Sequence, residues 1–131
     1  MQISDILPSS FLNLARQKTA GLTDSDADIN AAVLATTDGF AVACASRNGA
    51  DAERIAALAS SISTIGAIAT QEAGLGRCSS VILNTDNGFA VVRQFSHLNK
   101  DLVLIAVASG NAMLAKVMYQ ANQFVKEVLA T

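Results

Sequence analysis

Tryptophan is absent, proline and histidine occur once each, and charged residues make up only 15% of the 131-residue sequence. Hydrophobic residues make up 51%, so the chain has enough apolar material for a core and too little charge for a disordered protein. Nine basic and eleven acidic residues give a net charge of -2 without a basic cluster, which excludes a nucleic-acid partner. The length predicts one domain, 1–131, with an N-terminal helix and linker (1–28) and a core (29–130).

Residues that could perform catalysis or hold a metal are scarce. The single histidine, His97, excludes paired-histidine metal motifs, and Asp24, Asp26 and Asp28 lack the glycine and distal glutamate of a calcium loop. No P-loop motif occurs, and no candidate nucleophile has an identifiable base. We therefore predict no catalytic residue, no cofactor and no metal, and a protein that is not an enzyme.

The two cysteines, Cys44 and Cys78, lie in apolar stretches without the spacing of a metal or redox motif. We predict two buried, reduced thiols. The first residues lack the charged and apolar regions of a signal peptide, and the longest uncharged segment falls short of the roughly 20 apolar residues that span a bilayer. The expected location is the cytoplasm, without insertion into a membrane.

Apolar spacing and turn residues predict three helices and five strands. The helices are placed at about 4–20, 52–72 and 111–130, and the strands at 29–37, 40–46, 78–86, 88–97 and 101–109. Short connections favour antiparallel neighbours, and the last strand, apolar from Leu102 to Val107, must be covered on both faces. The expected fold class is α+β, a five-stranded antiparallel sheet sandwiched by helices in the order α-β-β-α-β-β-β-α.

Two phrases of the sequence predict tight turns. The letters TDGFAV at 37–42 return as TDNGFAV at 85–91, and each phrase joins two apolar runs. The pairs Asp38-Gly39 and Asn87-Gly88 are typical of hairpin turns in which both central residues have positive φ. The segment 21–28, rich in aspartate and turn formers, is predicted to be a loop.

The long middle helix has an uncharged stretch, Ile55–Thr70. Its apolar residues at spacings of three and four are predicted to pack on the sheet; they are Ile55, Leu58, Ile62 and Ile65. The opposite side of a surface helix normally carries charges. Here that side has small and uncharged residues, which we interpret as a dimer interface, a self-complementary one in a two-fold dimer; they are Ala57, Ser61, Thr64 and Ile68.

Arg93 interrupts the apolar strand FAVVRQF, on the same face as Val91 and Phe95 if side chains alternate. Two interpretations stay open. The side chain could face the edge of the sheet or extend its charged end to water from an apolar base, or its guanidinium could contact a partner or form a pair in an interface.

In chain order, four segments resemble the Roadblock/LC7 domain family and its bacterial MglB-like branch. They are AAVLATTDGFAVACAS (31–46), DAERIAALASSISTIG (51–66), SSVILNTDNGFAVVRQF (79–95) and LVLIAVASGNAMLAKVMYQANQFV (102–125). The resemblance implies a profilin-like or longin-like sheet and a homodimer in which the long helices pack together and the sheets can join.

The same resemblance implies a function. Members of the family are non-enzymatic platforms that bind Ras-like small GTPases and adjust nucleotide hydrolysis or exchange, or link cargo to motors. The expected function is therefore that of a dimeric regulator or scaffold for such a GTPase. Two alternatives remain: a ligand-sensing domain of the same α/β sandwich type, and a motor or cargo adaptor of the dynein light chain type.

Overall fold

The structure, a computed structural model, describes residues 7–130 and contains three helices and a five-stranded sheet. The helices are α1 (Ser9–Ser25), α2 (Ala52–Glu72) and α3 (Leu114–Leu129), and the strands are β1 (Ile29–Thr36), β2 (Ala41–Ser46), β3 (Ser80–Thr85), β4 (Gly88–His97) and β5 (Lys100–Ser109). The strands lie in the order β2-β1-β5-β4-β3, and every neighbouring pair is antiparallel. The predicted fold class and element order are confirmed.

The helices cover both faces of the sheet. The central strand β5 directs Leu102 and Leu104 to a core that it shares with α1 and α3. It directs Val103 and Ile105 to a second core on the other face, beneath α2. This alternation explains why β5 is apolar at consecutive positions, because each of its faces is buried under a helix.

The first helix begins and ends later than predicted, at Ser9–Ser25 in place of about 4–20. Pro8 is its N-cap, with φ of -62°, and it lies outside the first turn. The part of the prediction that covers residues 4–6 lies outside the described residues. The predicted loop 21–28 is wrong as far as Ser25, because Leu22 is buried in the core and continues the apolar side of α1.

The repeated phrases do form hairpin connections, but their turn geometry differs from the prediction. In the first, Gly39 has a φ of 97° and Asp38 does not have a positive φ. In the second, Thr85 pairs with Gly88, so the turn residues are Asp86 and Asn87.

Gly88 is required by a close approach of two strands. Its φ is 156°, and a Cβ at this position would lie 2.1 Å from the carbonyl oxygen of Ala108 on β5. Within residues 7–130, the turn whose two central residues both have positive φ is the β4–β5 connection, at Leu98 (54°) and Asn99 (60°). Asparagine adopts this conformation more readily than most residues, whereas leucine there gives no signal in the sequence.

Candidate interaction surface

Helix α2 is positioned by a cap at its start and by small residues along its inner side. The side chain of Asp51 accepts a hydrogen bond from the backbone N–H of Arg54 at 3.3 Å, as an N-cap residue does. The buried residues of α2 are Ala56, Ala59 and Ser63. Because these side chains are short, the helix backbone can lie close to the valines and isoleucine of the sheet.

The prediction of which α2 residues face the sheet is correct for two of the four residues and wrong for the other two. Ile55 and Ile62 pack partly against the core beneath α2. Leu58 and Ile65 instead point outward, with 56% and 66% of their surface exposed. The helix is rotated about its axis relative to the prediction, because the small residues contact the sheet and the larger ones lie on the flanks and the outer side.

Gly66 fixes the C-terminal half of α2 against the edge of the sheet. A Cβ built on Gly66 would lie 2.7 Å from Cγ2 of Val81 on β3 and 3.2 Å from Sγ of Cys78. Real Cβ atoms essentially never show a contact as short as the first. The glycine therefore permits a helix-to-strand approach that any larger residue would oppose, and it lets the C-terminal half of α2 lie close to β3.

The outer side of α2 forms the candidate site, which we call the α2 surface. It consists of Ala57, Leu58, Ser61, Thr64, Ile65 and Ile68. All six are exposed, and none is charged. The structure thus brings the four residues of the predicted interface together on the outside of the molecule. The prediction had placed Leu58 and Ile65 against the sheet and therefore did not include them in this surface. Ile68, at 57% exposure, is its third large hydrophobic residue.

A signal for the two missed residues was present in the sequence. Charged side chains mark the solvent side of a helix, and α2 carries Arg54 in its first turn and Glu72 at its end. Five turns of 3.6 residues separate these two positions, so they lie on the same side of the helix. Around the helix axis, Leu58 and Ile65 lie within about 40° of the direction that Arg54 and Glu72 share.

The polar groups of the α2 surface are satisfied within the helix itself. The hydroxyl of Ser61 donates to the carbonyl oxygen of Ala57 at 3.2 Å, and that of Thr64 donates to the carbonyl oxygen of Ser60 at 3.1 Å. Such bonds to the preceding turn use the hydroxyl hydrogen, so neither side chain has to donate outward. The surface can therefore be covered by an apolar partner without leaving an unpaired donor.

The edge strand β3 extends this surface. In the described part of the chain β3 pairs with β4 alone, which leaves its other edge open. Natural edge strands usually carry lysine, proline or a bulge that prevents pairing with another chain. The sequence SVILNT of β3 has no charge and no proline, and Ile82 and Leu83 are each 39% exposed. The edge is therefore suited to pairing with a strand of another molecule.

Arg93 lies on the opposite face of the sheet from α2, on the face predicted for it. Its Nε donates to Oδ1 of Asn122 on α3 at 3.0 Å. Its Nη1 donates to the carbonyl oxygens of Ser79, at 3.2 Å, and of Gln94. These bonds hold the guanidinium in one orientation between β3, β4 and α3, in a groove that also contains Tyr119.

A groove of about 660 Å³ runs beside the C-terminal half of α2. Its walls include Arg77, Asp101 and Gln94, whose side-chain amide donates to the backbone carbonyl oxygen of Ser63 at 3.1 Å. Thr64 and Ile68 of the α2 surface also line it. The volume lies in the range of small-molecule sites, and its walls have more polar groups than most such sites.

The cysteines are both free thiols, but only Cys78 is buried as predicted. Cys44 on β2 is exposed, and partial burial nevertheless raises the pKa of its thiol. Among residues 7–130, no group of three or more metal-binding side chains is close enough to hold an ion. None of the helices described above has the length and apolar character needed to cross a membrane.

Comparisons with known proteins agree with this architecture. The family model for the Roadblock/LC7 domain matches residues 16–95, more than half of the chain. A Roadblock/LC7 domain from Streptomyces avermitilis has a TM-score of 0.76 at 24% identity, over 86% of this chain and 92% of that one. No curated protein sequence matches this chain.

Two further structures share the fold. The gliding protein MglB from Thermus thermophilus has a TM-score of 0.78 at 17% identity, covering 95% of this chain and 91% of that one. A chain of the complex of LokiProfilin2 with rabbit actin has a TM-score of 0.56 at 11% identity, covering 95% and 98%. These likenesses establish a profilin-like sheet covered by helices on both faces.

Proposed function

This chain belongs to the Roadblock/LC7 domain family, and on that premise we propose that it is a dimeric, non-enzymatic regulator or scaffold for a Ras-like small GTPase. Its proposed partners are a second copy of itself and the GTPase, and its proposed effect is on nucleotide hydrolysis or exchange in the cytoplasm. The observation that carries this proposal is the α2 surface, an uncharged outer side on a helix whose inner side is already packed on the sheet.

The dimer is the first part of the proposal. Fully burying a leucine or isoleucine side chain contributes roughly 1.5–3 kcal/mol, and a monomer leaves Leu58, Ile65 and Ile68 more than half exposed. A second copy would cover all three residues and the small residues Ala57 and Ser61, which allow the backbones to approach closely. In a two-fold dimer the same surface meets its own copy, so one apolar patch is sufficient for both subunits.

The edge of β3 is the second contact that we propose between the copies. Pairing of two β3 edges would satisfy their open N–H and C=O groups and would cover Ile82 and Leu83. Since Gly66 holds α2 close to β3, the helix contact and the strand contact belong to one continuous interface. The two sheets would then form one sheet of ten strands.

The GTPase is the proposed partner of the dimer, which would contribute surface rather than chemistry. The groups that transfer phosphate can all belong to the GTPase, and a platform can change its rate by ordering the switch loops. We propose Arg93 as one contact to this partner. Its guanidinium is already oriented by Asn122 and Ser79, so little side-chain entropy is lost when an acceptor binds.

The dimer is tested by Ile68→Lys, which places an uncompensated charge in the proposed interface. We expect the variant to sediment as a folded monomer at micromolar concentration, because a buried unpaired lysine is strongly destabilising. Met113→Lys is the matched control, since Met113 is 69% exposed and lies outside α2. The proposal fails if Ile68→Lys associates as strongly as Met113→Lys.

The GTPase is tested by mixing the purified protein with each Ras-like GTPase of its own organism, loaded with GDP or with a GTP analogue. We expect binding that depends on the nucleotide, and a change in the rate of hydrolysis or of nucleotide release. Arg93→Ala should weaken this binding while leaving the dimer intact. The absence of nucleotide-dependent binding to all of them would contradict the proposed partner.

The ligand-sensing alternative has one feature in its favour, the groove beside α2 with Arg77, Gln94 and Asp101 in its walls. A small molecule bound there would raise the melting temperature of the isolated protein. The adaptor alternative requires the same dimer and differs in its partner, a motor or cargo polypeptide that would bind irrespective of nucleotide. The binding and melting measurements together therefore distinguish all three functions.

A further inference from the structure

The α2 surface has a positively charged side chain at one end and a negatively charged one at the other. Arg54 near the start of α2 and Glu72 at its last residue are both exposed, and neither side chain forms an ion pair within residues 7–130. Their separation along the chain corresponds to five helical turns. The two side chains therefore leave the helix on the same side, about 27 Å apart along the axis.

The uncharged residues between these two charges follow a regular pattern. From Arg54, steps of four, three, four, three and four residues lead through the seam positions to Glu72. The seam positions are Leu58, Ser61, Ile65 and Ile68. Alternation of three and four is the spacing of a helix that packs along its length against another helix.

A second copy of α2 fits this seam in one antiparallel register. When the two helices are centred on Ser63, Arg54 of each copy lies at the level of Glu72 of the other. In the same register Leu58 meets Ile68, and Ser61 meets Ile65, so a small residue faces a large one near the centre. A parallel pair would instead place like charges opposite one another at both ends, which is unfavourable.

We propose that Arg54 and Glu72 determine the register of the α2 pair and the choice of partner: each copy places its Arg54 beside Glu72 of the other. This inference rests on the dimer of the proposed function and adds the residues that select a second copy of this chain. A related chain that lacks the charge of Arg54 or of Glu72 would bind this chain less tightly than a second copy does. Opposite charges across an interface give such selectivity even where they add little affinity.

Charge reversal at either end tests the register. In Arg54→Glu, two glutamates face each other at each end of the pair, and in Glu72→Arg two arginines do. We expect each variant to dimerise roughly tenfold to thirtyfold more weakly than the unmodified chain, because two attractive pairs become two repulsive ones. The measurement is the dimer dissociation constant from sedimentation equilibrium at low salt.

Mixing the two variants gives the decisive result. One copy of Arg54→Glu and one of Glu72→Arg place opposite charges at both ends, so the mixture should form a heterodimer as tight as the unmodified dimer. The double variant should likewise recover self-association. Recovery on mixing also shows that each single variant is folded. At about 1 M NaCl, where the Debye length is about 3 Å, the weakening should nearly disappear.

Glu53→Arg is the matched control, because it makes the same charge change as Glu72→Arg at a position about 100° around the helix from Arg54. It should dimerise like the unmodified chain. If the unmodified chain dimerises and both single variants dimerise equally well, the register is wrong while the dimer stands. A stable dimer is expected to form at micromolar concentration. If the unmodified chain is still a monomer at roughly 100 μM, both the dimer and this inference fail.

Discussion

Replacing Gly66 with alanine tests how closely α2 approaches the sheet. Alanine gains about 1 kcal/mol over glycine in the middle of a helix. Against this gain stands a Cβ that would lie 2.7 Å from Cγ2 of Val81. Valine is branched at Cβ and has few alternative rotamers, so the strain is relieved only by moving α2 or β3. Overpacking of this kind costs about 1–3 kcal/mol, so we expect Gly66→Ala to lower the free energy of unfolding by about 1 kcal/mol.

Three further variants separate the effect of helix propensity from the effect of the contact: Gly21→Ala, Val81→Ala and the double variant Val81→Ala/Gly66→Ala. Gly21→Ala in α1 is the control, since a Cβ at Gly21 has nothing within 4 Å, and it should stabilise the protein by about 1 kcal/mol. In a Val81→Ala background the 2.7 Å contact is removed and the 3.2 Å contact with Sγ of Cys78 remains, so Gly66→Ala should be less destabilising there than in the unmodified protein. Urea unfolding followed by circular dichroism measures all four changes, at one fixed protein concentration because the proposed dimerisation would add to stability.

The sign of the effect decides the outcome. If Gly66→Ala stabilises the protein as much as Gly21→Ala does, the close contact between α2 and β3 does not exist in solution. The placement of the α2 surface beside the β3 edge would then be wrong, and with it the single continuous interface. If the two substitutions at 66 and 81 act additively, the residues are not in contact.

Two smaller effects are expected from other residues. Asp51→Ala removes the acceptor for the Arg54 N–H and should lower the free energy of unfolding by about 1 kcal/mol in the same urea experiment; no change would show that the cap is unimportant. Burial raises the pKa of the Cys44 thiol, so at pH 8 less of it is thiolate in the folded protein than in the unfolded chain. Alkylation by iodoacetamide, followed by mass spectrometry, should be slower in the folded state and should accelerate as pH rises through the raised pKa; equal rates would contradict this.

Much of the fold could be predicted from local patterns. Local signals are strong for the apolar runs of β1 and β5. They are also strong for the long helix α2, which has Asp51 at its start and Gly74 just after its end. The last helix, α3, has a similar local signal, since its apolar residues Val117, Ala121 and Phe124 recur at spacings of four and three and lie in the core. These features depend on residues near one another in the chain, which is why their spacing is informative.

The rotation of α2 about its axis could not be predicted in the same way. A helix with one apolar side has one way to pack, whereas α2 has uncharged residues all around between Ile55 and Thr70. The spacing of the apolar residues predicted that Leu58 and Ile65 face the sheet, but tertiary packing selected the small residues Ala56 and Ala59. The deciding factor is the distance between the helix and the sheet, which spacing along the sequence does not encode.

The turns show a second limit of local patterns. Asp38-Gly39 and Asn87-Gly88 predicted the right connections, yet neither pair adopts the expected conformation. The backbone twist at these points depends on how the paired strands meet, as the contact between Gly88 and Ala108 demonstrates. Arg93 is similar, because its partner Asn122 is 29 residues away in the chain.

In the proposed dimer the hydroxyls of Ser61 and Thr64, each bonded to its own helix, would also govern how easily the two copies separate. On separation neither hydroxyl has lost a partner, and no charge at the centre of the surface must be hydrated again. Water can still reach the two oxygen atoms. The exposure of the α2 surface in an isolated subunit is therefore less unfavourable than that of a surface made of leucine and isoleucine alone. A dimer of this kind would exchange subunits readily, and the proportions of the possible pairs would then follow the concentrations of the chains.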